Sequence, residues 1–294
     1  MQHLYLALAL LVAGCSSVPS TAPPISVGGE IRQPETGTGV TAQPGWHGDR
    51  FAVATANPLA SEAGVTMLKA GGSAIDAAIA AQMVLTLVEP QSSGIGGGAF
   101  LLHYDGRETV AFDGRETAPA AASETLFLKP DGKAMTFHEA IVGGRAVGVP
   151  GVVRMLEAAH AEFGKLSWAS LFEPAIRLAE NGFPIGQRLH ALLQADPYLR
   201  RDPSAAAYFY DGNGEPVAIG SILRNPELAS VLRRIADEGS RALHEGAIAQ
   251  AIVDKVRLHP DNPGQLRMSD LAGYQPKRRT PFCSSYAPRR AEAP

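Results

Sequence analysis

Apolar residues recur every three to four positions along much of this chain, the spacing that predicts amphipathic α-helices. The pattern covers four segments in the second half of the chain: Val152–Phe163, Trp168–Asn181, Pro226–Glu238 and Ala242–Leu258. An earlier helix is predicted to begin at Pro58, because Asn57 is a favoured N-cap and proline is favoured in a first helical turn. Glycines that follow predicted helix ends are expected to stop these helices at Gly71, Gly182 and Gly239.

Another predicted helix is apolar on nearly all sides. Ser73 and Asp76 have the spacing of a capping box at its start, and Ala77–Val88 contains no charged residue. A helix without a polar face must be buried, so we expect this one to lie in the core against a sheet. It is too short to cross a bilayer, which takes about 20 residues.

Short apolar segments predict strands at Phe51–Thr55, Ala99–Tyr104 and Thr109–Phe112. A further strand-like segment, Ile141–Gly151, is interrupted by glycines, and the polar, proline-containing sequence from Tyr274 onward is not expected to form a strand. The 294 residues fall within the range of large single α/β folds. Together with the mixed elements, this length predicts the α/β (α+β) class.

A glycine-rich loop lies between the apolar helix and the strand at Ala99. It contains Gly94, Gly96, Gly97 and Gly98. Each glycine loses more backbone entropy on folding than another residue would, so we interpret the cluster as a sign that backbones approach closely here. The letters match a GxGxxA dinucleotide fingerprint, but that fingerprint leads from a strand into a helix, whereas this loop leads from a helix into a strand. The loop is predicted to line one wall of a site, with a purely structural crossing as the alternative.

Arg115 follows the second of these strands and is a candidate binding residue. A guanidinium donates two parallel hydrogen bonds to a carboxylate, so Arg115 at a strand end could anchor a carboxylate substrate. The alternative is a structural ion pair with Asp113 or Glu116. Ser92 and Ser93 precede the loop and are predicted to form loop hydrogen bonds rather than to act as nucleophiles.

Charge and motif content exclude several classes of function. The net charge is −3, from 26 Lys and Arg against 29 Asp and Glu, and no long basic segment indicates a nucleic-acid partner. The histidines lack HxxxH or HExxH spacing and no GxSxG segment is present. We therefore expect no metal site, no cofactor and no nucleophile elbow.

The N-terminal sequence predicts export. Leu4–Ala13 is an uninterrupted apolar segment typical of a signal peptide, and Val12–Cys15 resembles a bacterial lipobox. Residues 1–15 are therefore predicted to be a signal with Cys15 lipidated, with an ordinary signal peptide as the alternative. Residues 16–48, rich in Pro, Ser and Gly, are predicted to be a tether. The mature protein is then expected in the periplasm or anchored to a membrane as a lipoprotein.

Seven motifs, in order along the chain, resemble those of γ-glutamyltranspeptidases. They are Gly71–Ala78, Glu89–Gln91, Gly94–Gly98, Asp113–Glu116 with Ala118–Pro119, Gly148–Gly151, Pro174–Ala179 with Asn181–Phe183, and Asp270–Tyr274. The resemblance extends from about Phe51 to Tyr286 and predicts a large-subunit-like domain over residues 49–286, followed by a divergent tail, 287–294.

The resemblance implies an N-terminal-nucleophile hydrolase with a four-layer αββα sandwich, incomplete in this chain. Members of the family that this chain resembles are made as precursors that cleave themselves. The new N-terminal threonine of the small subunit then attacks the γ-glutamyl amide of glutathione and related compounds. The resulting acyl-enzyme passes the γ-glutamyl group to water or to an amino acid. Arg115 occupies the position of the arginine that holds the substrate α-carboxylate. A small subunit and a γ-glutamyl substrate are thus the implied partners.

One departure from the resemblance concerns the nucleophile. The threonine motif that the resemblance implies would lie beyond Pro294, so this chain is expected to be a large-subunit-like part that is inactive alone. A second hypothesis is a non-catalytic exported lipoprotein that binds γ-glutamyl or acidic peptides, or a separate small subunit. A third is a related cephalosporin or glutaryl acylase, which shares the scaffold.

Overall fold

Eleven α-helices and five short strands lie within residues 48–284, the part of the chain that this computed structural model describes. The helices are α1 Pro58–Lys69, α2 Ala74–Val88, α3 Phe137–Ile141, α4 Val152–Phe163, α5 Glu173–Asn181, α6 Gln187–Ala195, α7 Pro203–Phe209, α8 Pro226–Glu238, α9 Arg241–His244, α10 Gly246–Arg257 and α11 Met268–Gly273. The strands are β1 Phe100–Tyr104, β2 Thr109–Asp113, β3 Phe183–Pro184, β4 Ile222–Leu223 and β5 Lys277–Arg279.

The strands form two small antiparallel sheets. One has the order β1-β2-β5, with Phe100 opposite Asp113 and Phe112 opposite Arg278, and the other pairs β3 with β4. One face of the larger sheet packs against the end of α4, where the Phe163 ring lies 4.1 Å from that of His103 and 6.3 Å from that of Phe112. The start of α4 adjoins the end of β2, because a Cβ added to Gly114 would lie 2.5 Å from the Cβ of Met155.

Capping residues fix where the first two helices begin, as the sequence predicts. The Asn57 side chain accepts a hydrogen bond from the N–H of Leu59 (3.1 Å), and Gly71 takes a positive φ of 89° after α1 ends. At α2, the N–H of Asp76 donates to Ser73 Oγ (3.2 Å) and the N–H of Ser73 donates to Asp76 Oδ2 (2.7 Å). The predicted capping box is therefore confirmed, because both backbone donors are satisfied.

Helix α2 lies at the centre of the core, as its uniformly apolar sequence predicts. Ile79, Ala80, Met83 and Val84 are all completely buried. The expectation that α2 packs against a sheet is wrong for the described residues, because its principal neighbours are helices α1, α4 and α5. Small alanine side chains on α1, α2 and α5 allow the helices to approach closely, so three helices can cover an apolar helix without a sheet.

Two predicted strands are absent from the described residues. Phe51–Thr55 forms no strand there. In the second segment, Ile141–Gly151, Ile141 ends α3 and the rest is a loop with an isolated bridge between Val149 and Thr117. Asn262 holds this loop: its Nδ2 donates to the carbonyls of Glu139 (3.0 Å) and Val142 (2.9 Å). A side chain distant in sequence thus satisfies carbonyl groups at the end of α3 that have no partner within the helix.

Some helix bounds agree with the prediction and others differ from it. The bounds of α4 and α8 match the prediction, whereas the segment predicted as one helix over Ala242–Leu258 divides into α9 and α10 at Gly246, which has a φ of 71°. Trp168–Asn181 likewise begins with a 3₁₀ turn before α5. Strand β5 corrects the expectation for the sequence after Tyr274, since its backbone pairs with the edge of β2.

The predicted signal at 1–15, nearly all of the tether at 16–48, and the tail at 287–294 lie outside the described residues, as does Cys15. These boundaries therefore remain predictions. Between residues 48 and 284, no helix is both long enough and apolar enough to cross a membrane.

Candidate functional site

The glycine loop lies beside the end of β2, and its last glycines are packed against it. A Cβ atom added to Gly98 would lie 2.6 Å from the carbonyl oxygen of Gly114 and 2.7 Å from Glu116 Oε2. The carbonyl of Gly97 accepts hydrogen bonds from the N–H groups of Gly151 (3.0 Å) and Val152 (3.1 Å). The predicted close backbone approach is therefore confirmed at Gly98, where even an alanine would collide.

The first glycines of the loop have a different environment. A Cβ on Gly96 would meet no atom within 4 Å, and one on Gly94 would lie 4.0 Å from its nearest neighbour, within the described residues. Neither has a positive φ. The close-approach interpretation is therefore wrong for Gly94 and Gly96, which border open space.

The backbone of Arg115 is held on both sides of its Cα atom. Its N–H donates to Asp113 Oδ1 (3.0 Å), and its carbonyl accepts from the Tyr274 hydroxyl (2.8 Å). The other oxygen of Asp113 accepts from Arg279 Nε (2.6 Å) on β5. The hydrogen bond from the Arg115 N–H is the larger cause that lowers the pKa of Asp113, and the hydrogen bond from Arg279 lowers it further. Asp113 is therefore ionised at neutral pH.

The side chain of Arg115, in contrast, extends into solvent. It is 56% exposed, and its Nε lies 3.3 Å from Glu116 Oε2. The ion pair with Glu116 that the sequence left open is thus present, whereas Asp113 bonds to the Arg115 backbone. An exposed pair of this kind contributes about 0–1 kcal/mol. Within residues 48–284 the two terminal guanidinium nitrogens have no hydrogen-bond partner, so they can receive a carboxylate.

Glu116 also fills the space that the glycines leave. Its Oε1 would lie 3.5 Å from a Cβ on Gly97, and its Cβ would lie 3.0 Å from one on Gly148. The acidic side chain is therefore placed over the loop by glycines from two segments. Glu116 is therefore held in place by the loop, and its contact with Nε orients the Arg115 side chain.

Tyr274 is a site residue whose role the sequence did not indicate. The residue is only 5% exposed. Burial raises the pKa of its hydroxyl, and the nearby charges of Asp113 and Glu116 raise it further. The hydroxyl is therefore protonated at neutral pH and donates to Arg115. The Asp270–Tyr274 motif was a signal of resemblance, but nothing in its local pattern links it to Arg115, which lies 159 residues away in sequence.

Ser92 and Ser93 act as loop hydrogen-bonding residues, as predicted. Both backbone N–H groups donate to the carbonyl of Glu89 at 3.0 Å, and Ser93 Oγ accepts from Gln82 Nε2 (2.7 Å). In the described part of the chain, neither hydroxyl bonds to a histidine or a carboxylate. These contacts fix the start of the glycine loop and do not activate a nucleophile.

A buried glutamate, Glu89, supports the start of the same loop. Glu89 is only 6% exposed and accepts from Asn57 Nδ2 (3.3 Å), with Arg188 Nε 3.6 Å away. Gln91 also donates to this carboxylate. The Glu89–Gln91 motif therefore has a structural role, joining α1, α6 and the loop.

An open cleft adjoins the site on the side of α11. It has a volume of about 420 Å³, and its lining includes Thr117, Ala118, Val149, Asp270, Tyr274 and Lys277. The cleft shares Tyr274 with the surroundings of Arg115. No group of three or more His, Cys, Asp or Glu side chains is placed to hold a metal ion between residues 48 and 284.

Comparisons with known sequences agree on one family. The family model described as gamma-glutamyltranspeptidase matches residues 60–291. The chain is 42% identical over 224 residues to the glutathione hydrolase proenzyme of Bacillus subtilis (strain 168), a match that covers 76% of this chain and 38% of that protein. It is 39% identical over 248 residues to the Acylase ACY 1 proenzyme of Pseudomonas sp. (strain V22), covering 81% and 43%. The chain therefore spans about two-fifths of the length of these curated relatives.

Solved structures give the same result for the fold. The gamma-glutamyltranspeptidase of Helicobacter pylori matches with a TM-score of 0.77 and 34% identity, over 83% of this chain and 69% of that chain. A cephalosporin acylase from Bacillus halodurans matches with a TM-score of 0.64 and 28% identity, over 85% and 48%. The described residues thus share the fold of the corresponding parts of both proteins.

Proposed function

This chain belongs to the gamma-glutamyltranspeptidase family, and from that premise we propose that it supplies the carboxylate-binding part of an enzyme that hydrolyses or transfers γ-glutamyl groups. The observation that carries the proposal is Arg115, whose backbone is fixed on both sides while its terminal guanidinium nitrogens remain without partners in the described residues. An exposed guanidinium on a fixed backbone suits the α-carboxylate of a γ-glutamyl group.

In this proposal Arg115 orients the substrate rather than reacting with it. Its two terminal N–H groups donate to the α-carboxylate, and this holds the γ-amide at a fixed distance from the arginine. A threonine at the N-terminus of the small subunit attacks the γ-carbonyl, the amine leaves, and water or an amino acid then releases the acyl group. We propose that this threonine belongs to the part of the relatives' length that the chain does not cover.

The proposed architecture is the four-layer αββα sandwich of N-terminal-nucleophile hydrolases, completed by a small subunit. Its support is the outer face of the β1-β2-β5 sheet, where Phe100, Leu102 and Tyr104 are 69%, 71% and 65% exposed. The residues between them in β1 face the other way, where His103 lies against Phe163 of α4, so that side of the sheet already has a helical layer. A second sheet on the outer side would remove these three apolar side chains from water.

An acylase is a second candidate, favoured by the comparisons. Acylase ACY 1 is 39% identical to this chain, close to the 42% of the glutathione hydrolase proenzyme. A glutaryl group carries a carboxylate at its far end but no α-amine, so Arg115 could bind either acyl group. Affinity for a γ-glutamyl ligand relative to its glutaryl analogue separates the two candidates.

We also propose export with lipidation at Cys15, on the strength of the apolar segment Leu4–Ala13 and the lipobox-like Val12–Cys15. Expression of the chain and of its Cys15→Ser variant in a bacterium, followed by membrane fractionation, tests this. Equal amounts of both forms in the membrane fraction would reject lipidation at Cys15.

Calorimetric titration of the chain with glutathione and with a glutaryl peptide tests the carboxylate site. We expect Arg115→Ala to weaken glutathione binding about 10- to 100-fold, the loss typical of a charge-assisted hydrogen-bonded pair. Arg107→Ala is the matched control, because Arg107 is an exposed arginine in the turn between β1 and β2. Unchanged binding by Arg115→Ala, or no saturable binding by the wild-type chain, would contradict the proposal.

A further inference from the structure

We propose that Tyr274 is a positioning residue for Arg115, an inference that rests on the proposed function of Arg115. The Tyr274 hydroxyl donates to the carbonyl oxygen of Arg115 at 2.8 Å across 159 residues of sequence. Its side chain is buried, whereas the Arg115 side chain is 56% exposed. The Tyr274 hydroxyl bonds to the backbone of Arg115 and not to its guanidinium, so its influence on a bound carboxylate acts through Arg115.

The surroundings of the tyrosine are adapted to this contact. A Cβ on Gly151 would lie 2.2 Å from both the Tyr274 hydroxyl oxygen and the carbonyl oxygen of Gly114. Only a residue without a side chain at position 151 leaves room for the hydroxyl to reach Arg115. The glycine at the start of α4 therefore serves the Tyr274 contact as well as the close approach of β2.

Tyr274 is itself fixed from two sides. Arg154 Nη1 on α4 donates to the carbonyls of Ala272 (3.1 Å) and Tyr274 (2.5 Å), which caps the end of α11. His244 is completely buried, its Nδ1 bonds to the carbonyl of Leu271 (3.0 Å), and its ring is stacked 5.9 Å from that of Tyr274. Burial lowers the pKa of His244, so the ring is neutral and Nδ1 donates the bond.

These contacts form a rigid support for one flexible side chain. The Asp113 carboxylate holds the Arg115 N–H, Tyr274 holds the Arg115 carbonyl, and Arg154 holds the backbone of Tyr274. With the backbone fixed, ligand binding has to order only the guanidinium, and this reduces the entropy lost on binding. Loss of the hydroxyl should therefore weaken carboxylate recognition specifically.

The test is the Tyr274→Phe variant, which removes the hydroxyl and keeps the ring. Tyr198→Phe is the matched control, because the Tyr198 ring is also stacked on a histidine, His138, and its hydroxyl has no hydrogen-bond partner in the described residues. Calorimetry compares glutathione with the same peptide carrying an α-carboxamide on its γ-glutamyl residue. We expect Tyr274→Phe to lose about 3- to 10-fold in affinity for the carboxylate ligand, the effect of one hydrogen bond, and less than about 2-fold for the carboxamide.

A purely structural role for Tyr274 would give a different result, with both ligands weakened equally and a lowered Tm. That outcome would overturn the inference, as would unchanged affinity for both ligands. Amide hydrogen exchange of the peptide containing Arg115 supplies a readout without ligand, and we expect faster exchange in Tyr274→Phe. Unchanged exchange also overturns the inference. Arg115→Ala is run in parallel: if it retains the preference for carboxylate, the proposed function has failed, while the exchange measurement still tests Tyr274.

Discussion

Asp113 accepts a hydrogen bond on each of its two carboxylate oxygens, an arrangement that requires the carboxylate to be ionised. One oxygen accepts from the N–H of Arg115 and the other from Arg279 Nε, so strand β5 is joined to the candidate site through this residue. Protonation would replace an acceptor by a donor on one of the two oxygens. The geometry of Arg115 is therefore coupled to the charge of Asp113.

This coupling gives a prediction for pH. The pKa of Asp113 is lowered in the folded chain from its usual 3.8, so its stabilising contribution is complete above that value. The contribution is lost as the pH falls through the lower folded pKa. We expect Arg279→Ala to move the Asp113 titration back toward 3.8, measured by the carboxyl carbon shift in NMR. Arg278→Ala is the control, since Arg278 pairs with Glu162 instead. An Asp113 titration that is the same in Arg279→Ala and in wild type would contradict the prediction.

The sequence indicated Arg115 but not Tyr274, and the reason is physical. Arg115 follows a strand and a glycine loop within a short stretch, so local spacing brings the candidate residue and the loop together. Tyr274 reaches the same residue only through the path of the whole chain, with 159 residues between the two. Asn262, which fixes the loop after α3, was missed for the same reason.

Among the elements, local signals determined the helices and long-range contacts determined the strands. Asn225 at the start of α8 and Gly239 at its end specify the helix bounds with side chains inside the segment itself. Strand β5 is exposed along its length and has no apolar alternation, so its pairing depends on the free edge of β2. Phe51–Thr55 shows the converse, because its strand-like pattern forms no strand within residues 48–284, where it has no pairing partner.

The glycine loop offers a matched pair of substitutions at the scale of one element. We expect Gly98→Ala to lower the free energy of unfolding by about 2–4 kcal/mol, because the added methyl would collide with the carbonyl of Gly114 at the end of β2. Gly96→Ala should change it by less than about 1 kcal/mol, since the position is open and its φ is not positive.

Urea unfolding of the two variants measures both values. Equal destabilisation by the two alanines would show that the loop needs glycine for flexibility rather than for space. If Gly96→Ala left stability unchanged but weakened glutathione binding, the open side of the loop would face the ligand, in agreement with the prediction that the loop lines one wall of a site.

At the scale of the whole molecule, the β1-β2-β5 sheet has one face that is covered by helices and one face that is exposed. On the inner side, Val110 and Phe112 are buried under the helical layer, with Phe163 of α4 against Phe112. On the outer side, Phe100, Leu102 and Tyr104 are each more than half exposed. Sheets in layered folds bury both faces when a further layer is present, so the proposed small subunit would cover this outer face.

We therefore expect Leu102→Glu to leave the Tm of the 294-residue chain within about 2 °C of wild type, because Leu102 is 71% exposed and contributes little to its core. The same change should abolish association with a small subunit of the family that carries the N-terminal threonine, since the charge would be buried without a partner. Co-purification and γ-glutamyl anilide hydrolysis measure association and activity, and Leu258→Glu, at a residue 76% exposed on another surface, is the control. Association that tolerates Leu102→Glu would exclude this face as the contact between the layers, and a large fall in Tm would mean that residues of this chain already cover it.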